Sequence, residues 1–305
     1  MINIVSALDN NFVRHCAAAM ASILDNHKIL SEDDKIHFFI LGNLTNMNKE
    51  ALLSLRRIQD FDCSFIEIDE AQFKKIPLDG HSVTLCYRLL IPEILQDFAS
   101  KVIHLDCDLI LNADIKNLWD INIDDYLIAA VKDEPHINKA EGYFNAGVTI
   151  FNIKKLKEFD FKNKWRAYVD NLSENLKLKY YDQDILNDIL RGNVFFLPPN
   201  WNVEKYNLGK FFSNYKGIEN ELYIIHYTTQ AKPWLPLSDH PFKNLYIKYA
   251  KMTPWKYEVG IYKLKTMLKY ASRIFFKYWV KHPVFFVKPK FWFRVRKEGF
   301  LKVII

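Results

Sequence analysis

Glycine and cysteine are scarce in this chain of 305 residues, and long apolar runs are missing from it. Its nine glycines form neither a G-x-G-x-x-G pattern nor a P-loop, which argues against a phosphate cradle built mainly from glycine. The four cysteines include no C-x-x-C pair. Their scatter argues against a zinc site and against a secreted disulfide framework, and it is typical of proteins in a reducing compartment.

Signals for crossing or entering a membrane are also missing from the sequence. No run approaches the roughly 20 apolar residues that a spanning helix needs. Residues 2–8 lack the basic start and the long apolar stretch of a signal peptide. We therefore expect a cytoplasmic protein without a spanning helix.

Charge is distributed unevenly along the chain. Residues 254–305 contain 13 Lys or Arg and 2 Asp or Glu, whereas the first 253 residues contain 29 basic and 34 acidic side chains. A mildly acidic body with a strongly basic end predicts a binding partner for the basic segment.

Short apolar runs rich in β-branched residues alternate with helical stretches in the first 250 residues. The runs cover residues 2–8, 36–41, 64–68, 101–105 and 127–131, and a helix is expected from about residue 11 to 26. This alternation predicts an α/β fold whose mostly parallel sheet is covered by helices on both faces. We expect one domain over residues 1–253, with ligands bound beyond the carboxyl ends of the strands.

The most informative motif is the D-x-D formed by Asp106 and Asp108. Two carboxylates at the end of a strand can bind one hard divalent cation, and that cation can neutralise a departing diphosphate. The same triplet occurs at positions 60–62 and 182–184, but only the copy at 106–108 lies between two apolar runs. It is therefore the candidate metal site, and the alternative is a pair of solvated turn aspartates.

Three further groups of residues lie beside apolar runs. His226 follows the run 222–225 and can add a nitrogen ligand, or it can make a structural hydrogen bond; Lys232 can place its charge on a phosphate. The stretch from Tyr181 to Asn187 carries acidic residues that favour the start of a helix. Small residues at 143–148 allow a backbone to approach a ligand closely, and they are equally consistent with the start of a strand.

Taken in chain order, these motifs resemble glycosyltransferase family 8, whose members have the Rossmann-like GT-A fold. The likeness is strongest to bacterial lipooligosaccharide and lipopolysaccharide α-galactosyl- and α-glucosyltransferases, and it extends over residues 1 to about 250. The matching segments are Ile4-Val5-Ser6-Ala7-Leu8-Asp9-Asn10-Asn11, Tyr87-Arg88-Leu89, Leu105-Asp106-Cys107-Asp108, Phe144-Asn145-Ala146-Gly147-Val148, Asp182-Gln183-Asp184-Ile185-Leu186-Asn187, and His226-Tyr227 with Lys232-Pro233-Trp234. One difference is Thr228-Thr229-Gln230, where family members commonly carry a glycine.

The resemblance implies a retaining hexosyltransferase that moves galactose or glucose from a UDP-hexose to an oligosaccharide or lipid-linked glycan acceptor. Mn²⁺, with Mg²⁺ as the alternative, would be bound by Asp106, Asp108 and His226. The donor would be bound by Ala7, Asp9, Asn11, Arg88, Asp106, Cys107, Asp108, Asn145, Ala146, Asp182, Gln183 and Lys232. The first three of these would hold the uridine, and Lys232 would contact the diphosphate.

Gln183 and Asp182 are the catalytic residues that the resemblance implies. Gln183 would lie near the β face of the reacting carbon, but an amide is a poor nucleophile. We therefore expect the acceptor hydroxyl to attack on the face from which the phosphate departs. The leaving phosphate would take the acceptor proton, and Gln183 or Asp182 would give electrostatic support.

The segment 254–305 combines 14 aromatic residues with its cations. Between Ile261 and Tyr278 its apolar side chains recur at helical spacing, which predicts an amphipathic helix. Such segments typically lie in a membrane interface, so we expect peripheral binding to the anionic inner face of the cell membrane. The alternative is that the apolar stripe packs on the body.

The composition of the body also bears on other partners and functions. Nucleic acid is not expected as a partner, because the body is acidic and carries no known nucleic-acid module. Two other functions remain open: a metal-dependent nucleotide phosphodiesterase or nucleotidyltransferase, and a non-catalytic membrane-associated binder that keeps the fold.

Overall fold

The computed structural model describes residues 1–133, 142–172, 178–205, 208, 221–228, 232–235 and 238–256. The strands are β1 Ile2–Ala7, β2 Ile36–Leu41, β3 Asp62–Ile66, β4 Lys101–Leu105, β5 Leu109–Leu111, β6 Ile128–Lys132, β7 Phe144–Asn152, β8 Val194–Phe196, β9 Val203–Glu204 and β10 Ile224–His226. The α-helices are α1 Val13–Asn26, α2 Asn46–Leu53, α3 Ile91–Leu95, α4 Lys116–Trp119, α5 Ile153–Glu158, α6 Phe161–Asp170, α7 Tyr181–Leu190 and α8 Lys243–Ala250. Shorter 3₁₀ helices cover Glu32–Asp34, Ser54–Arg57, Glu70–Phe73, Val83–Leu90 and Pro199–Trp201. The predictions for the tail beyond residue 256 lie outside the described residues.

A central sheet of seven strands has the order β3-β2-β1-β4-β7-β6-β8. Strand β1 pairs in parallel with β2 and β4, and the pairs β2–β3 and β6–β8 are also parallel. Strand β7 runs antiparallel to both β4 and β6. Parallel strands buried on both faces have nearly continuous apolar sequences, as β1 and β2 do. The predicted α/β class with a mostly parallel sheet is therefore confirmed.

Helix α1 covers one face of the sheet. It is rich in alanine, the residue with the highest helix propensity, and its small side chains allow close packing, so that 11 of its 14 residues are buried. The helix begins two residues later than the sequence predicted. The reason is a turn before it, in which Asp9 Oδ1 accepts the backbone N–H groups of Asn11 and Phe12 at 2.9 and 3.0 Å.

The other face is covered by the 3₁₀ helix Val83–Leu90 together with α3, α5, α6 and α7. Large side chains from these elements and the sheet fill this layer, among them Tyr87, Phe144 and Trp165. The layer brings Arg88 and the first turn of α7 to the carboxyl edge of the sheet.

A second sheet of three strands, in the order β5-β10-β9, was not predicted. Its strands contain only two or three residues, too few for a periodic pattern to be recognised in the sequence. Strands β1, β2, β3, β4 and β6 of the central sheet lie within two residues of the predicted runs, whereas β8 was not predicted. Within the described ranges, no helix has both the length and the apolar character needed to cross a membrane.

Candidate active site

The D-x-D motif lies at the carboxyl edge of the central sheet, directly after β4. The backbone N–H of Asp106 donates to the carbonyl of Gly147 at 2.8 Å, so the chain leaves β4 while still bonded to β7. Strand β5 then begins at Leu109, and its antiparallel pairing with β10 places His226 opposite Leu109. The second sheet thereby brings His226 back to the acid pair, across a separation of 118 residues from Asp108.

Asp106, Asp108 and His226 lie side by side at this edge. His226 Nε2 is 3.1 Å from Asp108 Oδ1 and 3.6 Å from Asp106 Oδ2. One ligand atom from each residue lies within 4.8 Å of the others. Two carboxylate oxygens with one imidazole nitrogen form a donor set suited to a divalent cation. The cluster can therefore hold such an ion.

The charges in this cluster depend on one another. Burial by itself would lower the pKa of His226, but Asp108 and Asp106 beside the ring raise it above its usual value. Burial would raise the pKa of Asp108, but Lys232 and His226 hold it well below its usual range. Lys232 Nζ lies 2.5 Å from Asp108 Oδ2. Asp108 is therefore ionised, which is the form that binds a cation.

Gly147 makes room for the cluster. It lies in β7 where the pairing with β6 shifts register, as Ala130 pairs with Thr149 but Val131 pairs with Asn145. A Cβ atom on Gly147 would lie 2.2 Å from His226 Cε1 and 2.7 Å from Asp106 Oδ2. For residues 143–148 the sequence left two interpretations open, close approach of a ligand or the start of a strand, and β7 does begin there, at Phe144. In the structure, the space is taken by two side chains of the cluster.

Arg88 joins the cluster to a second acidic residue. Its guanidinium donates to Asp106 Oδ1 at 2.9 Å and to the carbonyl of Ala146 at 2.6 Å, and its Nε lies 2.7 Å from Asp182 Oδ2. Arginine suits this position because its planar fork of donors stays charged when buried. One side chain thus connects three of the residues expected to surround a sugar.

Asp182 lies in the first turn of α7, where the sequence predicted the start of a helix. Its side chain is 5% exposed. Burial raises the pKa of Asp182 to about 7, because it outweighs the lowering by Arg88, and the nearby Asp106 adds to the rise. The protonation of this carboxyl is therefore balanced near neutral pH.

The side chain of Gln183 is held by hydrogen bonds to three residues. Its Oε1 accepts the backbone N–H of Ala146 at 2.9 Å. Its Nε2 donates to Asp133 Oδ2 at 3.0 Å and to the hydroxyl of Tyr143 at 3.3 Å. Asp133 is a residue of the site that the sequence analysis missed, because a single aspartate after β6 has no distinguishing pattern. The amide is oriented by the protein, with its oxygen toward β7.

The residues expected to hold a nucleoside follow β1 at the same edge. Cys107 Sγ donates to the carbonyl of Ala7 at 3.5 Å, which places these two positions side by side. Asn11 Nδ2 donates to Asp9 Oδ2 at 3.4 Å, and Asn11 also lines a cleft of about 180 Å³ with Arg14. Polar groups of Asp9, Asn11 and Cys107 therefore follow β1 and β4 at this edge, and their roles as ligands stay predictions.

Residues 3–238 match the sequence model described as Glycosyl transferase family 8. The chain belongs to glycosyltransferase family 8. The predicted family and the predicted class of enzyme, a hexosyltransferase, are thereby confirmed.

Curated relatives match most of the chain. General stress protein A of Bacillus subtilis is 26% identical over 274 residues, which cover 84% of this chain and 95% of that protein. The lipopolysaccharide 1,2-glucosyltransferase of Escherichia coli K12 is 25% identical over 273 residues, covering 84% and 79% of the two chains. The lipopolysaccharide 1,3-galactosyltransferase of Salmonella typhimurium is 22% identical over 293 residues, covering 90% and 85%.

Solved structures show the same architecture. The galactosyltransferase LgtC, in complex with donor and acceptor sugar analogs, superimposes with a TM-score of 0.69 at 25% identity. The match covers 83% of this chain and 96% of LgtC. The fold is therefore the GT-A fold that the resemblance implied.

Proposed function

We propose that this family 8 enzyme is a retaining transferase that moves galactose or glucose from a UDP-hexose to a saccharide acceptor in lipopolysaccharide, lipooligosaccharide or other surface glycan synthesis. The observation that carries the proposal is the Asp106–Asp108–His226 cluster, joined through Arg88 to Asp182. A candidate cation site directly beside the buried polar side chains of Arg88 and Asp182 suits a donor with a diphosphate at one end and a sugar at the other. The names of the Escherichia coli and Salmonella relatives support a lipopolysaccharide acceptor.

At the diphosphate end, Asp106, Asp108 and His226 would hold Mn²⁺, or Mg²⁺ as the alternative. When bound, the cation would supply positive charge to the departing diphosphate. Lys232 supports the same role, because its ammonium group lies 2.5 Å from Asp108 Oδ2 and would bring a second positive charge to the phosphates.

At the sugar end, Arg88, Asp106, Asn145, Ala146, Asp182 and Gln183 would surround the hexose. The amide oxygen of Gln183 is already bonded to the backbone of Ala146, and an amide is a poor nucleophile. The acceptor hydroxyl would therefore attack on the face that the phosphate leaves and pass its proton to that phosphate. Asp182 and Gln183 would stabilise positive charge on the sugar ring.

At the nucleoside end, Ala7, Asp9 and Asn11 would hold the uridine, with Cys107 beside Ala7. The contact between Cys107 and Ala7 supports this arrangement, because it joins the end of β1 to the D-x-D loop. A donor lying along this edge would span from the β1 loop to the sugar pocket.

The decisive experiment incubates the full chain with Mn²⁺, a saccharide acceptor and a panel of UDP-, ADP- and GDP-hexoses, then measures nucleotide release and the anomeric configuration of the glycoside product by NMR. We expect release from UDP-galactose or UDP-glucose and retention at the anomeric carbon. Equal turnover of ADP-, GDP- and UDP-sugars would instead favour a phosphodiesterase or nucleotidyltransferase. A covalent sugar adduct on Asp182, detected by intact-protein mass spectrometry, would overturn the front-face mechanism.

We further propose that residues 254–305 are a separate segment that attaches the catalytic domain, residues 1–253, to the cytoplasmic face of the membrane. Its net charge of +11 supports binding to anionic lipid, since each basic residue near such a surface adds on the order of 1 kcal/mol. A full-length variant with Lys263, Lys265, Lys269, Arg273 and Lys277 changed to Gln should lose co-sedimentation with vesicles that contain phosphatidylserine. Unchanged co-sedimentation would contradict the anchor and favour packing on the body.

A further inference from the structure

Asn202 lies between the cluster and β7, at a position that no sequence motif indicated. It follows the 3₁₀ helix Pro199–Trp201, and 1% of its surface is exposed. Asn202 Nδ2 donates to Asn145 Oδ1 at 2.9 Å, and Asn202 Oδ1 lies 2.8 Å from His226 Nδ1. A buried amide thus bridges a sheet residue and the imidazole of the proposed metal site.

One backbone N–H group fixes which atom donates and which accepts in each hydrogen bond from Asn145 through Asn202 to His226. The N–H of Gly147 can only donate, and it points at Asn145 Oδ1 from 2.9 Å, so that atom must be an oxygen. An oxygen there requires the amide nitrogen of Asn202 to face it. The other terminal atom of the Asn202 amide is then its oxygen, Oδ1. Because this oxygen can only accept a hydrogen bond, His226 Nδ1 must carry a proton.

A cation binds the neutral imidazole, and in that form a proton on His226 Nδ1 leaves the lone pair of the ring on Nε2. Nε2 is the nitrogen that faces the acid pair, 3.1 Å from Asp108 Oδ1 and 3.6 Å from Asp106 Oδ2. The other tautomer would turn an N–H toward the place where the carboxylates converge and would set two lone pairs against each other at Asn202. The hydrogen-bond chain from Gly147 therefore selects the form of His226 that can bind a cation.

The backbone of His226 does not need Asn202 in order to be placed. Strand β10 pairs with β5 on one side and with β9 on the other, at Leu109 and Glu204 respectively. What this pairing leaves undetermined is the rotation of the ring, because the torsion between Cβ and an imidazole has broad minima. A hydrogen bond at Nδ1 is the means by which proteins commonly fix such rings in metal sites.

We propose that Asn202 is a positioning residue that fixes the orientation and the Nδ1–H tautomer of His226 for a divalent cation. The role in cation binding rests on the proposed function. The hydrogen bond between Asn202 and His226 can be observed without any metal. Asn202 acts through His226 and needs no contact with the donor sugar.

The test compares the parent chain with Asn202→Leu, whose side chain has the same number and branching of heavy atoms and no polar atoms. Mn²⁺ binding is measured without nucleotide, from the EPR signal of free Mn²⁺, and the affinity should fall about 10- to 100-fold. In the metal-free parent, NMR of ¹⁵N-histidine-labelled protein should show a downfield, slowly exchanging Hδ1 proton of His226, assigned by its loss in His226→Gln. That signal should be missing in Asn202→Leu.

Two further variants separate positioning from general destabilisation. Asn152→Leu removes another buried amide, one that caps α5 and donates to the carbonyl of Ile123 away from the cluster, so it should lose thermal stability but keep its Mn²⁺ affinity within twofold. Asn202→Asp keeps an oxygen facing Nδ1 but loses the amide nitrogen that faces Asn145 Oδ1, so it should restore the Hδ1 signal and bind Mn²⁺ more tightly than Asn202→Leu, at a cost in thermal stability.

The outcomes distinguish this inference from the proposed function. A parent chain that binds no Mn²⁺ overturns the metal assignment. A parent His226 without a protected Hδ1 proton overturns the Asn202 inference, even if Asn202→Leu fails to fold. The inference is also overturned if Asn202→Leu keeps the parent's affinity, or if Asn152→Leu loses affinity to the same extent.

Discussion

Arg88 and Asp182 form an ion pair inside the protein, with the arginine Nε 2.7 Å from the aspartate Oδ2. Their side chains are 7% and 5% exposed, so water contributes little to their solvation. Such a pair is tolerated only where other hydrogen bonds use the remaining donors, and here Asp106 and the carbonyl of Ala146 accept them. The arginine therefore couples the proposed metal site to the proposed sugar site.

Replacement of Arg88 by lysine should damage both sites together. A single ammonium group cannot reproduce a planar fork of donors, so at least one buried acceptor loses its partner. We expect the free energy of unfolding to fall by about 3–5 kcal/mol and UDP release to fall at least about 100-fold. Urea unfolding and a UDP-release assay measure the two effects.

The matched control is Arg166→Lys. Arg166 pairs with Glu93 at 2.7 Å, but its side chain is 33% exposed, so the change should cost less than about 1 kcal/mol and leave turnover unaltered. Near-parent turnover in Arg88→Lys would show that the three-way connection has no part in catalysis.

The three D-x-D copies allow a matched test of the metal site. Asp106→Asn or Asp108→Asn removes a charged ligand, and several kcal/mol of charge stabilisation should be lost, so that turnover falls about 1000-fold. The double change of Asp60 and Asp62 to Asn alters two exposed aspartates of the same spacing and should leave turnover unaltered. Mn²⁺ titrations should show the same contrast. Equal activity in all of these variants would exclude the cluster as the metal site.

The acid pair could be located from sequence because its signal is local. Asp106 and Asp108 directly follow the apolar run that forms β4, and the ends of parallel strands are where ligands bind. His226 could be suggested for the same reason, since it directly follows the apolar run 222–225 and is the last residue of β10. These parts of the site can be recognised from the residues next to them in the sequence. The order of the motifs along the chain then supplied the resemblance to family 8.

The remaining parts depend on contacts between distant segments. Asn202 touches Asn145 and His226, which are 57 and 24 residues away, and nothing in its own surroundings indicates a role. Gly147 matters through the two side chains packed against it. Strands β9 and β10 are so short that only their pairing defines them. Local patterns cannot encode these relationships, because tertiary packing creates them.

Gly147→Ala should weaken metal binding without any change in charge. The added Cβ would lie 2.2 Å from His226 Cε1 and 2.7 Å from Asp106 Oδ2, so both ligands must move. A shift of about 1 Å at such a site can lower turnover about 100-fold. Mn²⁺ affinity and UDP release measure the effect.

Gly192→Asn provides the control for this substitution. Gly192 has a φ of +82°, which asparagine tolerates better than most residues, and a Cβ there would meet no atom within 4 Å. Its metal affinity should equal that of the parent. If Gly147→Ala also bound Mn²⁺ as the parent does, the close packing around Gly147 would have no role in the site.

The stability of the protein should depend on pH through His15, which is buried in α1. Its ring stacks on Trp234 with centroids 3.6 Å apart, and its Nδ1 lies 2.7 Å from the hydroxyl of Tyr246. Burial lowers the pKa of His15 to about 3, and the neighbouring Arg14 contributes to the lowering. The folded protein therefore keeps this imidazole neutral.

In the unfolded chain, the His15 imidazole binds a proton below its usual pKa of about 6.5. In the folded chain it binds a proton only below about pH 3. The contribution of His15 to stability is therefore complete above pH 6.5, and it is lost progressively as the pH falls toward 3, by about 5 kcal/mol in all. Urea unfolding at pH 4, 5, 6 and 7 should show a smaller loss of stability in His15→Phe than in the parent. His81→Gln, which changes an exposed histidine, should keep the parent's slope. An unaltered slope in His15→Phe would mean that other groups govern the acid sensitivity, because phenylalanine keeps the aromatic ring but cannot take up a proton.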